Sequence, residues 1–233
     1  MKPDRFQLAP LTALTAIFVL IMTACASHSS SAPGAQAGSA SPTKSAASAH
    51  PSGPQEYATK HFAMPMTLTV DSWLKTAAPD VDSTNLVYWS TAVGDNVVRF
   101  MLPAIVYAQG AEARARNLPA NYLQYLHGTP NFQIKDETST VIGGHPATLL
   151  SITANSDAPE DWFSGSLGCV SRDSQRHDIN SCFAINSEHQ LRLAVIKLGG
   201  RTLLSWARTE KNSPDAPELY KNFATLLASV RFR

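Results

Sequence analysis

Charge is scarce in this chain, and neither sign dominates. Only 16% of its 233 residues are charged, and 19 Lys+Arg against 18 Asp+Glu leave a formal net charge of +1. A nucleic-acid binder carries clustered excess Lys/Arg, so that class is excluded. An acidic, solvating tail is excluded by the same balance. Phosphate-cradling motifs are missing as well: the chain has neither G-x-x-x-x-G-K-[ST] nor G-x-G-x-x-G. No cofactor is implied. There are three cysteines, an odd number, and no close C-x-x-C pair. Without such pairs, a spacing of C-x7-H-x4-C-x6-H through Cys169, His177, Cys182 and His189 is a poor zinc site, and a disulfide is the better reading.

Long apolar runs are also absent. An uncharged, mostly apolar stretch of 14 residues, Leu11 to Ala24, follows Lys2 and Arg5. A spanning helix needs about 20 apolar residues, whereas a basic start before a short apolar core is the pattern of an export signal. Met22-Thr23-Ala24-Cys25 then resembles the lipobox of bacterial lipoproteins, in which the cysteine is lipidated and becomes the new N-terminus. Residues 1–24 are therefore read as a lipoprotein signal peptide; an uncleaved anchor and ordinary secretion are the alternatives. Lipidation assigns Cys25 to the membrane and leaves Cys169 and Cys182 as a pair, in a compartment where disulfides persist. Removing residues 1–24 takes away Lys2, Arg5 and Asp4, so the mature chain is formally neutral.

Residues 25–56 read as the lipidated cysteine and a tether. From Ala26 to Pro54, Ser, Ala, Gly and Pro dominate, with no aromatic and no large aliphatic residue. Such a segment lacks the apolar surface to offset the entropy of ordering it. Residues 57–233 are enough for one domain.

Within that domain strand patterns prevail. Apolar residues alternate from Phe62 to Val70, and β-branched and aromatic residues fill Leu86 to Thr91 and Val97 to Tyr107, with Ala92-Val93-Gly94-Asp95 as the turn between them. Gly143-Gly144 and Gly199-Gly200 suit two-residue hairpin turns, which need positive φ. The second turn predicts Val195 opposite Leu204 and Leu193 opposite Trp206 on one face, with Arg192 opposite Ala207 and Ala194 opposite Ser205 on the other. Trp73, Trp89 and Trp206 are expected in the core at strand positions. Helices are fewer: Pro119 to His127, stopped by Gly128, and a final helix with Leu219, Phe223, Leu226, Leu227 and Val230 in one stripe. Asp215 and Glu218 fit a capping-box-like start to it. The expected fold is α+β, an antiparallel sheet of about six to seven strands covered by the C-terminal helix and one or two shorter helices.

Gly144-His145-Pro146-Ala147 opening a strand, Gly165-Ser166-Leu167-Gly168-Cys169, the Leu191–Arg208 hairpin and the helix-then-strand ending Phe223–Phe232 together resemble small lipoproteins of actinobacterial envelopes, the PsbP/LpqN-like group. The resemblance implies an antiparallel sheet under a C-terminal helix and a non-enzymatic binding or accessory role. It supplies no catalytic residues, and the Cys169–Cys182 loop is not a general mark of the group.

Two candidate sites remain. Ser164-Gly165-Ser166-Leu167-Gly168 approaches a nucleophile elbow, but Ser164 stands where that motif needs glycine. A hydrolase acting on envelope esters through Ser166 is thus the alternative to a structural turn. Asp161, Trp162 and Phe163 form an acidic-aromatic loop that suits a ligand or partner contact, against the plainer reading of core aromatics beside solvated carboxylates. The leading expectation is a lipid-anchored, extracytoplasmic module of the bacterial cell membrane. Its partner would be an envelope protein or an apolar small molecule held between sheet and helix. A purely structural envelope protein is the third reading.

Overall fold

The computed structural model describes residues 50–107, 114–155, 166–174 and 180–233. Fourteen strands and two helices are assigned among them. In chain order they are β1 (Gln55–Ala58), β2 (Met66–Val70), β3 (Val81–Asp82), β4 (Leu86–Ser90), β5 (Val97–Met101), β6 (Ile105–Tyr107), β7 (Ala115–Asn117), α1 (Tyr122–His127), β8 (Phe132–Ile142), β9 (His145–Ala154), β10 (Ser166–Cys169), β11 (Cys182–Ala184), β12 (His189–Leu198), β13 (Arg201–Glu210), α2 (Ala216–Ser229) and β14 (Arg231–Phe232).

The central sheet has seven antiparallel strands in the order β3-β4-β5-β13-β12-β9-β8. A three-stranded sheet, β1-β2-β14, and a four-stranded one, β11-β10-β6-β7, accompany it. The α+β expectation holds, and so does the hairpin register: Val195 faces Leu204, Leu193 faces Trp206, Arg192 faces Ala207 and Ala194 faces Ser205. The turn glycines supply what the tight connections require, with φ of 56° and 84° at Gly143-Gly144 and 52° and 89° at Gly199-Gly200.

The sheet is buried on both faces. Ala194, Ile196, Leu198, Leu203 and Ala207 join β2 and the apolar stripe of α2 in one core. Leu191, Leu193, Val195, Leu204 and Trp206 join α1, Leu167 and Phe183 in the other. One face of the β12–β13 hairpin was expected to be the more polar. Instead its small residues, Ala194, Ser205 and Ala207, are fully buried, because their size lets α2 and the three-stranded sheet pack closely.

A bulge manages the edge. Between Lys135 and Thr138 the β8–β9 register shifts, and Asp136 takes φ 53°. The extra residue flips the inward positions of β8: Phe132 and Ile134 pack with the Trp206 core, while Ile142 packs with the α2 core.

Local expectations need several corrections. The alternating run from Phe62 becomes a strand only at Met66, since Pro65 lacks the N–H a ladder needs. The run from Val97 to Tyr107 breaks at Leu102-Pro103-Ala104, and β6 joins a different sheet. Asp215 makes no side-chain cap: it is already in the right-handed helical region (φ −83°, ψ −9°), whereas a capping side chain folds back over the first turn from an extended residue. Trp73 lies in a turn and is only partly buried, while Trp89 and Trp206 are core residues. β1 begins at Gln55, and Pro51 is already buried.

Candidate functional site

The side chains of β4, β5 and β13 that face the Trp206 core include a cation. On β5, Arg99 lies opposite Tyr88 of β4 and Trp206 of β13, and its face continues through Met101. From the layer above, Phe183 of β11 completes an aromatic box. The guanidinium carbon is 4.8 Å from the Phe183 ring centre, 5.3 Å from that of Tyr88 and 5.9 Å from that of Trp206.

No carboxylate of the described residues answers this charge. The Arg99 Nε is buried without a hydrogen-bond partner, and no ion pair of Arg99 is present among the described residues. Asp82 is close in sequence to the site but faces the other way. It pairs with Val87, which belongs to the α2 core. Its carboxylate accepts from Tyr57 Oη at 2.8 Å and from the backbone N–H groups of Lys60 at 2.7 Å and His61 at 3.2 Å. Burial works against the Asp82 carboxylate, but these donors outweigh it and hold its pKa below the usual value.

The charge Arg99 feels among the described residues is instead a second cation. Arg208, opposite Val97 on the same face of the sheet, also has a buried, unpartnered Nε. Burial and then repulsion from Arg208 draw the Arg99 pKa down to about 10, with Tyr88 opposing. Arg99 stays a cation at neutral pH. Each ring returns about 0.5–2 kcal/mol, and against that stands the cost of a buried Nε donor without a partner. The box softens the penalty without cancelling it.

A cavity of about 300 Å³ opens beside the guanidinium, lined by Val81, Ser83, Leu86, Tyr88, Arg99, Val170, Asn180 and Phe183. None of these is acidic. The far wall is Phe183 of β11 with Val170 and Asn180, which adjoin the β10–β11 pair, and three devices hold that pair. The Cys169–Cys182 disulfide joins the two strands at a directly paired position. Asn85 Nδ2 donates to the Val170 carbonyl at 2.9 Å. From α1, Tyr122 Oη donates to Leu167 O at 2.5 Å and Tyr125 Oη to Ser166 O at 2.7 Å. Burial pushes the Tyr125 hydroxyl up to about 12, against its bond with Thr129, so it remains a donor at any ordinary pH.

A second depression, of about 320 Å³, lies between the sheet and α2. Its cation is satisfied: Arg192 donates to Ser151 Oγ at 2.8 Å and to the Asp136 carbonyl at 3.4 Å. The hydroxyl of Tyr220 there lacks a partner, a smaller debt than an orphaned charge.

The residues singled out from the sequence divide into three groups. Cys169 and Cys182 come together as a disulfide, which removes both thiols from any metal site. Ser166 sits in β10 rather than on a strand-to-helix turn, with its hydroxyl buried and unbonded. That geometry contradicts a nucleophile elbow, which presents its serine at an exposed turn. Cys25, Asp161, Trp162 and Phe163 lie outside the described residues. Arg99 escaped the sequence reading; its signal was a single cation inside the apolar strand Val97-Val98-Arg99-Phe100-Met101.

No family model and no curated protein sequence matches the chain. Among solved structures it is similar to the solution structure of cyanobacterial PsbP (CyanoP) from Synechocystis sp. PCC 6803, with a TM-score of 0.41 and 11% identity over 82% of this chain and 99% of that one. At that level the likeness decides nothing about kinship or function.

Proposed function

We propose that this protein is a non-catalytic binding module of the bacterial cell envelope, held at the extracytoplasmic face of the membrane by a lipid on Cys25. The observation that carries the binding role is the orphaned Arg99 guanidinium at the mouth of a half-enclosed, aromatic-walled cavity. Ligand pockets are typically apolar hollows with a few polar groups of this kind. A purely structural protein has no use for an unpaired interior charge that an apolar residue would replace with a gain in stability. Export is supported by the basic-then-apolar start, by Met22-Thr23-Ala24-Cys25 and by the disulfide. The placement of Ser166 speaks against hydrolysis.

Site-specific photocrosslinking in the native envelope tests the reading. A crosslinker at Ser83, on the exposed rim of the cavity, is expected to give a discrete adduct. One at Val141, exposed on β8 at the opposite edge of the seven-stranded sheet, serves as control. No adduct from Ser83, or equal labelling from both positions, would overturn it.

A further inference from the structure

We infer that the ligand of the Arg99 cavity is a small amphipathic carboxylate, its head group on the guanidinium and its flat apolar body against the Tyr88 and Phe183 rings. This rests on the binding-module reading and adds the chemistry of what is bound.

Three features of the molecule select that chemistry. The first is sign. Arg99 has neither a hydrogen bond nor an ion pair among the described residues, and the charged neighbour it feels is Arg208, a like charge. None of the described residues lining the cavity is acidic. Such a site repels cations and leaves a neutral ligand facing an unanswered charge. An anion supplies the missing partner.

The second is shape. A guanidinium offers parallel N–H donors that match the two oxygens of a planar carboxylate. Contact with rings at 4.8 Å and 5.3 Å holds the guanidinium in place before anything binds. A carboxylate also arrives as a monoanion. A phosphate monoester brings more charge to desolvate, and among the described residues Arg99 is the single cation lining the cavity.

The third is lining. Val81, Leu86 and Val170 accompany the two rings, so the cavity beyond the head-group position is mostly apolar. At about 300 Å³ it is at the lower end for ligand pockets. A compact aromatic or branched aliphatic body fills it; a long acyl chain does not.

The test uses the disulfide-intact exported protein and three probes of one shape: 1-naphthoate, 1-naphthalenemethanol and 1-naphthyl phosphate. Affinities are measured by titration calorimetry at low salt. Wild type is expected to bind 1-naphthoate at least tenfold more tightly than the neutral alcohol, with the phosphate weaker than the carboxylate. Arg99→Met should abolish the preference for carboxylate over alcohol while retaining alcohol binding, and Arg99→Lys should keep part of it. Chemical-shift changes in the Trp206 and Phe183 rings on adding 1-naphthoate would place the probe.

Equal affinity for naphthoate and alcohol in wild type would overturn the inference, even if Arg99→Met failed to fold. So would an undiminished preference in folded Arg99→Met, or absence of binding by all three probes. Tighter binding of the phosphate would overturn the carboxylate assignment. Failure here alongside a specific adduct from Ser83 in the envelope would leave the binding module standing without this ligand. Success here with no Ser83 adduct would remove the envelope reading instead.

Discussion

Arg99 stands between Val98 and Phe100, both fully buried, and itself faces the second core. Strand alternation tells from the sequence that Arg99 shares a face with Val97 and Met101. It does not tell that this face is covered, because the cover comes from Phe183, far along the chain. His189 illustrates the same dependence. Its Nδ1 bonds with Asn186 Oδ1, and burial, then the positive charge of Arg208, hold its pKa below the ordinary value against Glu188 and Glu210. The folded state therefore favours neutral imidazole, and the unfolded chain takes up the proton first as pH falls. The His189 contribution is complete above the unfolded pKa, about 6.5, and is lost below it. Urea unfolding of the disulfide-intact protein between pH 7 and pH 5 should show a falling midpoint, and His189→Gln should flatten part of that fall. An unchanged slope in the variant would reassign it to other groups.

Among elements, the two glycine-turned hairpins were the most legible. A two-residue turn sets the register of the strands it joins, so β12–β13 follows from short sequence distances, and β8–β9 does so from its turn as far as the bulge. What blurred the rest was non-local pairing. β5 and β6 run on in sequence but enter different sheets, since Pro103 interrupts the ladder and Ile105 pairs with Cys169. The disulfide holds β11, and hence Phe183, against β10. Closing a loop of this length contributes roughly 3 kcal/mol in the chain-entropy model. Reduction, or Cys169→Ala with Cys182→Ala, is expected to lower stability by about that amount in denaturant titrations. It should also weaken naphthoate binding, because the wall carrying Phe183 loosens. Unchanged affinity in the reduced, folded protein would show that α1 and Asn85 hold the wall unaided.

On the scale of the whole molecule, the seven-stranded sheet is the middle of a layered domain, with α2 and the three-stranded sheet on one face and α1 and the four-stranded sheet on the other. The sequence pointed to a sheet under a helix and understated the second cover, because β6, β7, β10 and β11 are short and their apolar runs slight. Membrane attachment belongs to this scale too. The proposed lipid on Cys25 would act here: several acyl chains hold a protein firmly, whereas one chain gives marginal binding. Cys25→Ser is expected to shift the protein from the membrane fraction to the soluble one, leaving the folded domain's thermal midpoint unchanged. Retention of the variant in the membrane would mean that the apolar N-terminal run is itself the anchor.

By itself the sequence determined the tether composition, the cysteine pair, the α+β class and the register of the Gly199-Gly200 hairpin. Each is written in neighbouring residues or in composition, so short-range chemistry suffices. Only the tertiary structure decided that Arg99 is an orphan. Its box takes Tyr88, Phe183 and Trp206 from three strands. Asp82, four residues after Ala78 and near in sequence to Tyr88, is turned away to the opposite face. The cost of a charge depends on how much water and which partners surround it, and both are properties of the packed layers rather than of the strand that carries it.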